Sequence, residues 1–216
     1  MRMEWRKAVV QYIESEARPV DKFSHQPRLY ALACSIGRGM DYDDDVVFAS
    51  AWLHDIGVFV GHRPDDPEAL THWDHVPYTI HKVRSLLPAW GFPPAKLHTV
   101  EEVIRTHQPQ DDPVCIEAVV VRDADILEQL GAIGFLRAAA KIGRDTRYPT
   151  FTSLLSVIRS AIELLPGKLR LNTSRELAGT RIAASRSLIK REFPRLCRGG
   201  SSSLTFAGVH PRNSER

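Results

Sequence analysis

The chain is short of cysteine, has no long apolar run and carries no marked excess of either charge. Its three cysteines, Cys34, Cys115 and Cys197, are odd in number, far apart and never spaced as Cys-x-x-Cys. That speaks against a disulfide framework or a cysteine-based zinc site and leaves free thiols in a reducing compartment as the expectation. No window approaches the roughly 20 apolar residues that span a bilayer. The opening Met1-Arg2-Met3-Glu4-Trp5-Arg6-Lys7 is charged and leads into no long apolar stretch, unlike a secretory signal. A cytoplasmic protein with no membrane association is therefore expected. The formal net charge of +3 does not by itself call for nucleic acid. Arginine far outnumbers lysine. Genomic base composition explains this as well as a phosphate-facing role does, although the guanidinium fork matches phosphate oxygens.

What is present is helical. With 216 residues, 43% hydrophobic and 25% charged, the chain is long enough for one globular domain, alone or with an appendage. Val9, Val10 and Ile13 share one side of residues 3–16, and Leu29, Leu32, Ala33 and Ile36 repeat at i, i+3, i+4, i+7 in residues 27–37. The acidic run Asp43-Asp44-Asp45 suits the start of the next helix, where carboxylates cap free N–H groups and oppose the helix dipole. That helix runs through the apolar stretch Val46–Ile56, and Gly57 closes it. Residues 58–74 read as a loop. Helices follow over 76–87 and 95–106, separated by Gly91-Phe92-Pro93-Pro94. Residues 115–121 are β-branched enough for a strand but are read as a buried helix, because helices flank them on both sides; the apolar helical text continues through Ile126-Leu127 to Gly134. Two more helices, near 151–165 and 172–193, complete a domain assigned to residues 1–196, and residues 197–216 read as a flexible tail.

His54-Asp55 stands at the end of the most apolar helix. A buried carboxylate costs several kcal/mol unless it is paired or coordinated. Adjacent helical residues point about 100° apart, so both can reach one ion lying over the helix end. Taken alone, the pair is better read as a helix end, with His54 on the dipole and Asp55 paired to an arginine. Three placements change that. His25 begins an amphipathic helix with Arg28 one turn on, Asp123-Ala124-Asp125 precedes an apolar stretch, and His107 ends the helix over 95–106. The potential ligands thus lie near helix ends, where they can converge on one cleft, with Asp123 able to act as a cap.

The order histidine, His-Asp, distant aspartate resembles the HD superfamily of metal-dependent phosphohydrolases. His25-Gln26-Pro27-Arg28-Leu29 is similar to the family's His-x-x-Arg-Val opening, and Ala51-Trp52-Leu53-His54-Asp55-Ile56-Gly57 to its His-Asp core. Arg122-Asp123-Ala124-Asp125-Ile126-Leu127-Glu128, with Gly131-Ala132-Ile133-Gly134 after it, resembles a segment of a small bacterial single-domain subgroup. Lys168-Leu169-Arg170-Leu171-Asn172-Thr173, with Glu176-Leu177-Ala178 and Arg181, is similar to that subgroup's C-terminal region. The resemblance spans residues 20–193 and implies an all-α, compact HD-domain helical bundle with a metal site between helices.

It further implies that His25, His54, Asp55 and Asp125 bind a divalent metal ion (Mn, Mg, Fe, Co, Ni or Zn). Mixed imidazole and carboxylate donors suit the transition metals better than Ca²⁺. Asp123 aligns with a residue that supports the ligands. Asp55 also takes the catalytic role of orienting or deprotonating the attacking water, and Arg28, His75 and His107 contact substrate. His75 and His107 resemble two extra histidines that some relatives use for a second metal or for phosphate; read alone, each is a surface histidine, as are His62, His72, His81 and His98. The chain departs from many relatives after the pair. Ile56-Gly57-Val58-Phe59-Val60 carries no acid to act on water, so the base lies elsewhere or a metal-held water suffices. The implied activity is hydrolysis of a small phosphate ester or nucleotide (EC 3.1 or 3.6), in a monomer or homodimer. The alternatives are an HD-fold hydratase, a di-metal oxygenase, or a non-catalytic nucleotide-sensing module.

Overall fold

In a computed structural model, residues 2–19, 22–143 and 149–192 are described. The expected tail over 197–216 lies outside them. The elements are α1 (Arg2–Glu16), α2 (His25–Ile36), α3 (Asp44–Leu53), α4 (Pro67–Thr71), α5 (His75–Ala89), α6 (Leu97–Arg105), α7 (Ile116–Glu128), α8 (Gly131–Ala139), α9 (Phe151–Leu164) and α10 (Asn172–Glu192), with short 3-10 turns at Ile56–Val58, Pro94–Lys96 and Leu165–Lys168. Among the described residues, extended pairing is limited to one bridge between Val60 and Arg63, so the expected all-α architecture holds. No helix among them is long and apolar enough to cross a membrane.

α3 is the hub. Every residue from Asp45 to Leu53 is buried, and α1, α2, α6 and α7 pack around it. Its N-terminus forms as the acidic run suggests: the Asp43 side chain accepts from Asp45 N at 3.0 Å. Arg6 of α1 reaches Asp44 and Asp45, both at 2.7 Å, and Lys96 reaches Asp43 at 2.7 Å and Asp45 at 2.9 Å. Beside this end, Trp5 sits edge-on to Phe48 and Phe92. Buried Leu, Ile and Phe side chains of this kind each contribute roughly 1.5–3 kcal/mol.

Residues 116–121 belong to α7, the helix expected in preference to a strand, and Cys115 precedes it in an extended conformation. Three details differ from the sequence reading. The helix expected to run to Ile56 ends at Leu53, and a 3-10 turn over Ile56–Val58 follows it. The loop over 58–74 contains α4, begun by an Asp66 side chain that accepts from Ala69 N and by Pro67 in the first turn. The apolar text after Asp125 is two helices: α7 ends at Glu128, and α8 starts at Gly131 with φ +76°. A Cβ at Gly131 would stand 3.0 Å from Arg181 Cβ on α10, so the break also allows α10 a close approach.

Candidate metal centre

Five helices deliver the chemistry. His25 is the first residue of α2. His54 is the residue after α3, its amide still bonded to Ser50 O at 2.9 Å. At Asp55 the chain leaves the helix, with φ −104° and ψ 15°. Gly57 makes the next approach feasible: a Cβ there would lie 2.8 Å from His75 O and 2.9 Å from His75 Cβ. Gly57 N donates to Thr79 Oγ1 at 3.1 Å, and Trp73 Nε1 donates to Gly57 O at 2.8 Å. The turn after His54-Asp55 is thereby fixed to the start of α5, which brings in His75. α6 ends two residues before His107, and α7 carries Asp125.

These residues converge. Candidate ligand atoms of His25, His54 and Asp125 lie within 4.8 Å of one another, and so do those of His54, Asp55 and His107. His25 Nε2 is 3.3 Å from Asp125 Oδ1. The two oxygens of Asp55 face different rings, with Oδ2 3.5 Å from His54 Nε2 and Oδ1 3.4 Å from His75 Nε2. Neighbouring imidazoles meet edge to face, with centroids 5.4 Å apart for His25 and His54, 5.0 Å for His54 and His107, and 5.4 Å for His75 and His107.

Protonation favours coordination. Burial lowers the His54 pKa to about 4, with Asp55 opposing the shift and His107 and His25 adding to it. Burial also lowers His75, against the pull of Asp55. Burial alone would raise the two aspartates, but His54, His75, His25 and His107 hold Asp55 well below the usual carboxylate range, and His25 chiefly does the same for Asp125. Neutral imidazoles facing ionised carboxylates are the state a divalent cation requires. The Nε2 atoms of His25, His54 and His75 are buried without a hydrogen-bond partner, an arrangement that costs about 1–3 kcal/mol per group unless something else binds them. The donor set fits an ion of the Mn-to-Zn series.

The structure therefore brings together all four expected ligands, and it adds His75 and His107 to the same cluster. Arg28 lies behind His25: its Nε and Nη2 donate to Glu128 Oε2 at 3.2 and 3.0 Å, and His25 Nδ1 is 3.5 Å from that same oxygen. Glu128 carries no expected role in the sequence, although it closes the Asp123-Ala124-Asp125 segment. Burial would raise its pKa, but His25, Arg28 and Arg137 together lower it.

Asp123 does not reach the ligands. Fully buried, it accepts from Arg170 N and Leu171 N, the latter at 2.8 Å. It caps a distant segment rather than its own helix. Its neighbour Arg122 donates to Gln108 O at 3.1 Å, Pro109 O at 2.6 Å and Lys168 O at 2.8 Å, fixing the loop that follows His107. His62, read from sequence as a surface residue, has a side chain only 6% exposed. It contacts Glu16 at 2.9 Å and Tyr78 at 3.0 Å, which ties the 59–63 segment to α1 and α5. His72, His81 and His98 are exposed.

Known proteins share this fold. The HD-domain family profile matches residues 23–130, half of the chain and the part that holds every residue of the cluster. A predicted HD superfamily hydrolase from an uncultured Thermotogales bacterium is 21% identical, with TM-score 0.61 over 88% of this chain and 92% of its own. Bacillus subtilis YpgQ, solved in complex with ADP, is 21% identical, with TM-score 0.64 over 88% and 93%. An HD-superfamily hydrolase from Bacillus thuringiensis is 18% identical, with TM-score 0.65 over 92% and 100%. At these identities the likeness is one of fold. No curated protein sequence matches the chain.

Proposed function

The chain belongs to the HD-domain family, and from that premise we propose that it is a metal-dependent phosphohydrolase acting on a small phosphate ester or nucleotide. One observation carries the reading: three buried Nε2 atoms without partners stand among aspartates held ionised. In this reading His25, His54, Asp55 and Asp125 hold the divalent ion, which is Mn²⁺, Mg²⁺, Fe²⁺, Co²⁺, Ni²⁺ or Zn²⁺. An ion bound there supplies Lewis acidity and makes a coordinated water easier to deprotonate.

The chain's own groups do the rest. Asp55 presents both oxygens inside the cluster, so it orients the attacking water and accepts its proton. No acid follows at Val58, Phe59 or Val60, which leaves that duty with Asp55. Arg28, His75 and His107 offset charge on the phosphoryl oxygens. A nucleotide is favoured among phosphate esters by the ADP seen in YpgQ. The near-balanced charge and scattered thiols suit a cytoplasmic small-molecule enzyme.

A second reading has specific support. Asp55 stands between two sets of histidines, and His54, Asp55 and His107 form a second possible ligand group with His75 against the other Asp55 oxygen. Two ions would then share Asp55, and His75 and His107 would be ligands rather than substrate contacts. Two irons per chain would favour an oxygenase.

A panel of phosphate esters and nucleotides assayed with Mn²⁺, Mg²⁺, Co²⁺ and Ni²⁺ in turn tests the reading. Turnover that depends on one of these ions supports it. No turnover across the panel, from protein loaded with metal, overturns it in favour of a nucleotide-sensing module or a hydratase. Metal analysis of the purified protein separates one ion from two.

A further inference from the structure

The Nδ1 atoms of the clustered histidines are not held alike. His54 Nδ1 faces the carbonyl of Ala51 at 3.2 Å, and His107 Nδ1 faces that of Ile104 at 2.6 Å, each three residues back along its own chain. His25 opens α2, and its Nδ1 does not face a carbonyl three residues back. Its Nδ1 instead faces Glu128 Oε2, 103 residues away at 3.5 Å. Glu128 is 2% exposed and ends α7. Asp125, one turn earlier on the same helix, meets the other nitrogen of the same ring at 3.3 Å.

We infer that Glu128 is a positioning residue of the metal centre, fixing the tautomer and tilt of His25 so that the Nε2 lone pair faces the ion. The inference rests on the reading of His25 as a metal ligand. A neutral imidazole carries one N–H, and an ionised carboxylate can only accept. With Glu128 at Nδ1, the ring has an acceptor for its proton on the side away from the ion, so that Nε2 gives up its contact with Asp125 and coordinates once an ion is bound. Arg28 and Arg137 bring positive charge to the same carboxylate, at 3.0 and 3.5 Å. They keep it ionised one turn from Asp125 and hold it against the ring. The arginine proposed to face phosphate thus hangs on the oxygen that orients a ligand. Of these three rings, His25 is the one whose Nδ1 faces a side chain that mutation can remove.

Long-range proton–nitrogen NMR of the histidine rings in the wild-type chain loaded with diamagnetic Zn²⁺ at neutral pH gives the first test. The expected result is a proton on Nδ1 of His25; a proton on Nε2 overturns the proposal with no variant needed. Calorimetric titration with Mn²⁺ gives the second. Glu128→Ala should weaken Mn²⁺ binding by about 10- to 100-fold, while the tautomers of His54 and His107 stay as they are. Glu128→Gln keeps an acceptor oxygen and should lose less. Should Glu128→Ala fail to fold, Glu128→Gln and the wild-type tautomer decide the matter. A folded variant with wild-type Mn²⁺ affinity overturns the positioning role alone. A wild-type chain that binds no divalent ion overturns the metal reading beneath it.

Discussion

The two ends of α3 carry the two densest polar clusters described above, and they are built on opposite rules. At the N-terminal end Asp43, Asp44 and Asp45 meet Arg6 and Lys96, so each carboxylate faces a cation. At the C-terminal end His54 and Asp55 meet three more histidines and Asp125, and three ring nitrogens are left with nothing to bond. The same buried helix thus ends once in a cluster of opposite charges and once in a cluster of imidazoles and carboxylates whose ring nitrogens lack a hydrogen-bond partner. Unpartnered imidazole nitrogens facing carboxylates, rather than the mere presence of buried charge, mark the candidate site.

The largest contrast should come from paired alanine substitutions. Asp55→Ala is expected to abolish both Mn²⁺ binding and turnover; a variant that keeps full activity would remove Asp55 from the site. Asp45→Ala, at the other end, should leave Mn²⁺ binding intact.

Acidity should separate the ends next. In the metal-free folded chain His54 protonates only near a pKa of about 4, against 6.5 when exposed. As pH falls through this interval the unfolded chain takes up a proton that the folded chain refuses, so stability should drop between pH 6.5 and 4. His54 alone accounts for about 3 kcal/mol, and His75 acts in the same direction. Urea unfolding across that range checks it: the slope should persist in Asp45→Ala and shrink in His54→Asn, and a flat wild-type profile would contradict the burial argument.

Stability at neutral pH gives smaller effects. Asp45→Ala leaves Arg6 and Lys96 short of a carboxylate and should cost about 2 kcal/mol in chemical denaturation. Asp123→Asn weakens the cap on Arg170 N and Leu171 N and should cost about 1 kcal/mol, with Mn²⁺ affinity unchanged. A fall in Mn²⁺ affinity would instead place Asp123 among the residues that support the ligands.

How much of this was legible depended on distance along the chain. Helical periodicity placed the main helices, and the acidic run announced the start of α3, because both are local signals. The four expected ligands were readable because their motif blocks are short and ordered. Contacts set by folding were not readable. Nothing near Glu128 points to a ring 103 residues away, and Asp123 offers no sign of a partner 47 residues on. The break between α7 and α8 hides in text that stays apolar across it, although Gly131 was a cue. α4 was missed for its shortness, even though Asp66-Pro67 carries a start signal. The value of Gly57 lies in the absence of a side chain where His75 packs, which no periodicity reveals.

Arg122 and Asp123 finally bear on where the working unit stops. The family match ends at residue 130, yet these two buried side chains on α7 bind the backbone of Lys168, Arg170 and Leu171. Cutting the chain at the family boundary would strand a guanidinium and a carboxylate one turn from Asp125. The segment around 168–171 is therefore a keystone for α7, the helix that carries Asp125, and the contacts that hold that helix extend well past the region that names the family.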